Sequence, residues 1–505
     1  VNLLESRKKI LNTLKDSVSR GNIYGKVMLL IGALMIIPII IIPFYPHELK
    51  HIYSFAIPST ISILSGVAVC RAKNRGVKSH EWQSSLQEGS LPVLFAWCYG
   101  IFMGAIPFVI SKELPFIYAL FESTNGWTTT GMTIAEVGSM PKIFLFHRSF
   151  MQYCGGLGFM LMILMLISGK QSTNLFNAEG HPDRLMPNIR QTGRTIFLIY
   201  NGFLIFGSLL YIFFGMSAFD ALCHTMSALS TAGFTTQAES IGAYQSFAIE
   251  VITILLMLIG STNFAVLLLL TRLQFKKILR VSEMRFMIFV IILFTFLIAL
   301  GLIFEMKMSV GKGIHQALFS VVTVLTTTGY STVNYLEWTP FAVFLLVILM
   351  NIGGSAGSTA GGIKLLRVYL MIRISHANIK EKLSPSNKIT VLKYYRAQGK
   401  ELIDNEVISD TLTFISCYAM VIVTGTLLIT FFEKCSLSDA LFEFASVFTT
   451  VGISNGLTST TTSTATLIVE MVGMLLGRLE IMIVFIGIRA GISKIKNKIR
   501  DLRRG

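Results

Sequence analysis

Four short elements in the chain close on glycine: Thr129-Thr130-Gly131, Thr231-Ala232-Gly233, Thr327-Thr328-Gly329 and Thr450-Val451-Gly452. The chemistry they offer is that of bare backbone. Glycine reaches positive-φ conformations closed to residues with a Cβ, so successive carbonyls can turn toward one axis. Oxygens arranged that way can replace the water around a potassium ion. A single Thr-Gly turn would be unremarked. Here the glycines recur at separations of 102, 96 and 123 residues, each at the end of a half-apolar stretch too short to span a bilayer.

Two more stretches carry candidate chemistry. Gly353-Gly354-Ser355-Ala356-Gly357-Ser358-Thr359-Ala360-Gly361-Gly362, followed by Ile363-Lys364, interrupts an apolar run. It resembles a phosphate cradle but lacks the adjacent Gly-Lys-Ser/Thr of a P-loop and does not follow a soluble strand, so a nucleotide site is rejected. Glycine costs nearly 1 kcal/mol in a helix interior, so a broken helix is expected, with the small-residue loop beneath the third Thr-Gly element as an obstruction. Close helix packing through small residues is the competing reading. Arg478 interrupts a second apolar run, where a charge faces a partner or an aqueous cavity. Either a structural ion pair with Glu470 or Glu480, or a cationic barrier under the carbonyl elements, would account for it.

The remaining polar residues give weaker signals. Arg148, beside His147, reads as snorkelling to the interface or packing on a short helix. Glu122, Asp220, Asp439 and Glu443 lie near the half-apolar stretches, where they either raise the local cation concentration or, for Asp220 and Asp439, cap helices. His224 and His315 read as packing or hydrogen-bonding groups. No CxxC occurs and the six cysteines are scattered, so neither a metal centre nor a catalytic nucleophile is expected.

The elements that position these residues must sit in a membrane. The chain has 505 residues, 53% hydrophobic and 14% charged, against roughly 25% charged in soluble domains. Continuous apolar runs, including Val27 to Tyr45, Ile52 to Cys70, Leu91 to Ile110 and Phe286 to Phe304, approach the roughly 20 residues that cross the hydrocarbon core. Net charge is +16, concentrated at 7–26, 71–78, 170–194, 272–285, 373–400 and 489–504. The positive-inside bias then places all six segments, and both termini, in the cytoplasm. A nucleic-acid partner is excluded because the charge flanks spans. The polar N-terminal segment is not a cleavable signal, and a start at Val suggests a trimmed beginning.

The predicted fold class is an all-α integral membrane protein. Four pseudo-symmetric membrane–pore-loop–membrane repeats surround one central pore, preceded by two extra transmembrane helices. The expected divisions are a cytoplasmic arm (1–25), two additional helices with a basic loop (26–90), and repeats one (91–170), two (171–272) and three (273–376, with the broken second helix). A last division, 377–505, holds a cytoplasmic linker, repeat four and a basic tail.

These residues resemble the Trk/Ktr/HKT superfamily of potassium transporters, and within it the TrkH type. The resemblance rests on the four Thr-Gly elements, on HRSFMQYCGGLG (147–158), on NIGGSAGSTAGGIKLLR (351–367) and on LLGRLE (475–480). It implies potassium binding at the twelve residues of the four elements, and a gate built from Gly353 through Gly362, Lys364 and Arg478. It also implies a homodimer in the bacterial inner membrane, resting on a TrkA-type cytosolic ring that binds NAD or ATP/ADP. No cofactor is then expected in this chain itself. Gly131, where some relatives carry serine and admit sodium, implies potassium preference. Ala232, Met132 and Ile453 depart from the frequent pattern. The expected function is gated potassium uptake, with an ion-coupled symporter or a less selective cation transporter as the alternative. A solute carrier would need paired buried carboxylates in inverted halves, and a membrane enzyme a nucleophile–base set; the sequence shows neither.

Overall fold

The computed structural model describes residues 22–72, 85–158, 162, 189–383, 392–479 and 481–502. The N-terminal arm and most of the basic segments 71–78 and 170–194 lie outside them. Among the described residues, six helices are long and apolar enough to cross a membrane, and up to eight if each of two bent pairs counts as one span.

The first span begins as an α-helix, Ile23–Leu34, capped by the Asn22 side chain. Pro38 and Pro43 have no N–H to donate, and the chain tightens to a 3-10 segment, Ile37–Phe44. It packs on the second span, helix Ile52–Arg71, through small residues. Ser59 Oγ donates to Gly32 O at 2.7 Å, and Ser62 Oγ to Met28 O at 2.7 Å. In lipid such close packing and hydroxyl bonds replace the hydrophobic drive.

Four repeats follow. The first spans are Ser85–Ile110, Ile189–Phe213, Ser282–Phe304 and Asn405–Glu433. After each comes a pore helix: Phe116–Thr128, Ala218–Leu229, Val310–Leu325 and Leu437–Phe448. At 1.5 Å per residue these are about 18–24 Å long, too short for a core of about 30 Å. They lie in the centre. Ser123, Thr225, Thr323 and Ser446 are buried, whereas Ile205, Phe289, Phe296 and Leu427 on the spans are exposed. Polar inside and apolar outside is the arrangement a lipid solvent requires.

The returning helices are Lys142–Leu157, Phe247–Gly260, Pro340–Ile352 and Thr464–Arg478. The expected break in repeat three is present: the helix stops at Ile352 and resumes at Leu365–Lys382. Two further breaks were not anticipated. Repeat two turns by 117° into Phe264–Thr271, and in repeat four the axis of Ile481–Ser493 lies at 105° to that of Thr464–Arg478. An antiparallel ribbon, Lys393–Arg396 with Gly399–Leu402, sits between repeats three and four, a small exception to the all-α plan.

Glu48 joins the extra helices to repeat one. The sequence suggests only a short turn at 46–50, but the segment forms a 3-10 helix, Pro46–His51. The buried Glu48 carboxylate accepts from the N–H groups of Lys142 and Ile143 at 2.7 and 2.8 Å. These are orphan donors at a helix start, where a negative charge also complements the dipole. Glu48→Ala should therefore destabilise the detergent-solubilised protein by about 1–3 kcal/mol. Thermal unfolding unchanged from wild type would show the cap to be dispensable.

Candidate functional site

All four pore helices end in the same way. Thr129, Thr231, Thr327 and Thr450 are left-handed, with φ of 58°, 50°, 55° and 59°, and the glycines that follow have φ between 78° and 85°. Two N–H groups in each element turn back on the helix. Thr231 N donates to Ala228 O and Ala232 N to Ser227 O; Thr450 N donates to Val447 O and Val451 N to Ser446 O, all at 2.8–3.1 Å. Repeats one and three repeat the pattern through Asn125, Gly126, Thr323 and Val324. This αL closure satisfies helix-end carbonyls and leaves the elements' own carbonyls free to point elsewhere.

Those carbonyls meet in a ring. A Cβ built on Gly131 would overlap the carbonyl oxygen of Ala232; on Gly233, that of Thr328; on Gly329, that of Val451; and on Gly452, that of Thr130. The sequence one-two-three-four-one closes on itself. The twelve residues read from the sequence thus converge on one centre.

The polar groups around the ring hold its limbs. Glu122 accepts from Thr133 Oγ1 at 2.6 Å, from Ile134 N at 2.9 Å and from Arg148 Nε at 3.0 Å. The snorkelling reading of Arg148 is corrected. The residue is only 1% exposed, because its helix runs inside the protein rather than along lipid. Its guanidinium lies 3.9 Å from the centre of the Phe234 ring, linking limbs one and two. Glu443 accepts from Ser454 Oγ, Asn455 N and Thr458 N. Glu122 and Glu443 therefore brace the loops that follow Gly131 and Gly452 instead of presenting free charge. Ser217 and Ser436 are the N-caps, with Asp220 and Asp439 completing each motif.

Gln152 was missed. Its Nε2 donates to Ala232 O at 2.7 Å, while its Oε1 accepts from Ser227 Oγ and Phe234 N. A polar side chain within the small-residue run that ends at Gly158 was the available signal. Limb three is tied to pore helix two, where Tyr330 OH donates to His224 O at 3.0 Å. His224 and His315 make local contacts, with Asp220 O and Glu250 respectively.

The small-residue loop lies directly against the ring. Its ends, Gly353 (φ 73°) and Gly362 (φ 78°), pack on each other. Thr359 Oγ1 donates to Gly260 O at 2.9 Å and lies 3.0 Å from Thr231 Oγ1. Gly361 N donates to Thr327 Oγ1 at 2.9 Å, and Gly361 is pressed against Thr449 O and Thr450 Oγ1. Two of the four equivalent threonine hydroxyls are thus engaged by the loop, and those of Thr129 and Thr450 are buried without a hydrogen-bond partner. On the far side of the loop, Ala356 is gripped by Asn263 Nδ2 on its carbonyl at 2.5 Å and by Glu283 Oε1 on its N–H at 2.7 Å. Ser355 N donates to Ser261 O. The bend at 260–263 is therefore the socket of the loop. Its signal in the sequence was the run Gly260-Ser261-Thr262-Asn263 inside an apolar stretch.

Arg478 donates to Thr359 O, to Gly155 O at 2.6 Å and to Gly156 O at 3.2 Å. Of the ion pairs read from the sequence, the one with Glu470 is not made. Eight residues place Glu470 on the same face but about 12 Å away along the axis, where it accepts from Thr458 Oγ1; Glu480 lies outside the described residues. Lys364, held at φ 82°, donates through Nζ to Ala360 O.

A model of the TrkH family, described as cation transport protein, matches residues 60–490. An uncharacterised cation transporter of Methanocaldococcus jannaschii is 30% identical over 94% of this chain and 96% of its own. The Trk system potassium uptake protein TrkH of Escherichia coli K12 is 30% identical over 81% of this chain and 84% of its own. The crystal structure of the potassium transporter TrkH from Vibrio parahaemolyticus superposes with a TM-score of 0.80 at 27% identity, covering 93% of this chain and 97% of that one. These are transporters, which disposes of the enzyme reading. The chain belongs to the TrkH family of cation transport proteins.

Proposed function

We propose that this chain carries potassium into the cell through the carbonyl ring, and that the loop from Gly353 to Gly362 together with Arg478 gates it. The closed cycle of four glycine–carbonyl contacts carries this reading. It supplies backbone oxygen from four sides of one axis, at the C-terminal ends of four helices whose dipoles favour a cation. The relatives named as potassium transporters support the choice of ion. Selection then rests on how well the carbonyls and the threonine hydroxyls replace the hydration shell. Ala232 O, which also accepts from Gln152, gives limb two a weaker oxygen than the others.

In this reading the structure is the shut form. The loop fills the space under the threonine hydroxyls, and Arg478 adds a positive charge to a cation's path. Arg272 through Arg285 and Lys393 through Lys400 share one face, where Tyr395 N donates to Ser282 Oγ at 3.0 Å. This supports a cytoplasmic assignment for that face and for both termini, in a bacterial inner membrane. The Trk-system relatives favour a regulatory partner. A cytosolic ring that binds NAD or ATP/ADP, docked on these basic segments beneath a homodimer, would supply the energy to withdraw the loop.

Two outcomes are expected. Gly329→Ser places a Cβ on the Val451 carbonyl at a positive φ, so it should spread the ring and admit sodium. Reversal potentials in mixed potassium and sodium should shift toward the sodium value, and unchanged potentials would count against the filter assignment. Arg478→Gln removes hydrogen bonds to a charged group, each contributing about 1.5–3 kcal/mol. Rubidium uptake into vesicles without any regulator should rise about tenfold or more, and so should uptake after shortening 354–361. Permanently closed variants would refute the gate.

A further inference from the structure

Repeats one and four carry the same carboxylate brace with opposite partners. Glu122 and Glu443 each stand nine residues before their glycine, Gly131 and Gly452. Each accepts from the hydroxyl two residues past that glycine and from the N–H three residues past it. The facing position on the returning helix is the seventh after the N-cap residue: Arg148 after Pro141 in repeat one, Glu470 after Ser463 in repeat four. Where repeat one has an ion pair, repeat four has two carboxyl groups.

Both are fully buried, and one residue joins them. Thr458 donates its N–H to Glu443 Oε1 at 3.1 Å and its hydroxyl to Glu470 Oε1 at 2.7 Å. Glu470 Oε2 has no hydrogen-bond partner. The charges that bear on Glu470 are those of Glu443 and Glu433. Glu433 is held by Ser463 N. Around this helix, Asp439 is held by Ser436, Tyr118 donates to Thr460 O, and Glu122 is taken by Arg148. Tyr418 packs against Phe448, and Glu406 and Asp410 lie at the opposite end of their helix. Lys434 and Arg489 are exposed, and Arg478 is about 12 Å away along the helix. Among the described residues, then, no cation neutralises the pair.

Two like charges in one buried site cannot both persist. We propose that Glu443 and Glu470 form a proton-binding site that holds one shared proton behind the fourth limb of the ring. Glu443, with three donors, is built to stay ionised. Glu470, with one donor and an orphan oxygen, is built to carry the proton on Oε2. Glu443 Oε2 accepts only Asn455 N and retains a lone pair to receive it. A metal ion would need several free oxygens, and no group of three or more His, Cys, Asp or Glu suited to a metal occurs among the described residues. Losing the proton sets the two carboxylates against each other and loosens the hold of Glu443 on Ser454, Asn455 and Thr458, so conduction should depend on pH through this pair.

The test uses the full chain in lipid vesicles, and its infrared arm does not depend on which ion is conducted. Infrared spectra at neutral pH should show the carbonyl stretch of a protonated, buried carboxyl, lost in Glu470→Gln. Glu470→Arg recreates the pairing of repeat one; it should fold and also lack the band. In rubidium uptake against external pH, the wild type should show a titration step absent from both variants. A band unchanged in Glu470→Gln, or both groups ionised at neutral pH in the wild type, would overturn the proposal. So would thermal stability that rises with added sodium or potassium in the wild type but not in Glu470→Gln, since the pair would then hold a cation.

Discussion

The structure depends on how each pore helix ends. A left-handed threonine turns the last N–H groups back onto helix carbonyls three and five residues earlier, so donors face the helix and acceptors face the centre. Without that separation a loop at membrane depth would offer mixed donors and acceptors, and its backbone would need partners that lipid cannot supply. With it, the donors are already satisfied and four sets of oxygen face the centre. The glycine one position beyond the second retracted residue is then forced. A neighbouring carbonyl occupies the place where a Cβ would lie, and the backbone sits where side chains are disfavoured.

Holding four such ends in place needs side-chain braces, within a repeat for limbs one and four and across repeats for limbs two and three, and no two limbs have the same set of partners. Limb one uses Glu122 with Arg148, limb two Gln152, limb three the Tyr330 hydroxyl on pore helix two, and limb four Glu443. The backbone geometry is nearly fourfold while the side-chain chemistry is not. The second element illustrates the consequence: Ala232 O lies at the same ring position as Thr328 O, yet only Ala232 O accepts from an amide side chain there.

What was legible in the sequence follows from this division. Backbone requirements recur with the repeat, so Gly131, Gly233, Gly329 and Gly452 could be aligned, and the run of small residues at 353–362 betrayed a break. The carboxylate brace recurs only in repeats one and four, its partners on the returning helix differ, and each brace joins residues from separate elements. Glu122 and Arg148 are 26 residues apart, Gln152 and Ala232 are 80 apart, and no periodicity connects them. Of the two readings of Arg148, packing on the pore helix holds and snorkelling does not, because this helix starts inside the protein. The bend at Ser261 was hidden by averaging, since three polar residues barely lower the hydropathy of a long apolar window.

The loop beneath the ring solves a second backbone problem. Returning helices one and two and pore helix two all end there, and the carbonyls of Gly156, Leu229 and Gly260 lack helical partners of their own. Thr359 and Arg478 supply the donors. Several helix C-termini thus point their negative ends at one volume, and a guanidinium sits among them. A potassium ion descending from the ring would meet the same oxygens in the same role. Under the gating scheme, Arg478 is a tethered stand-in for the ion, and the loop can leave only when water or potassium takes over the carbonyls it covers. Under that scheme gate and pathway would share one set of ligands, which would couple opening to hydration of the cavity.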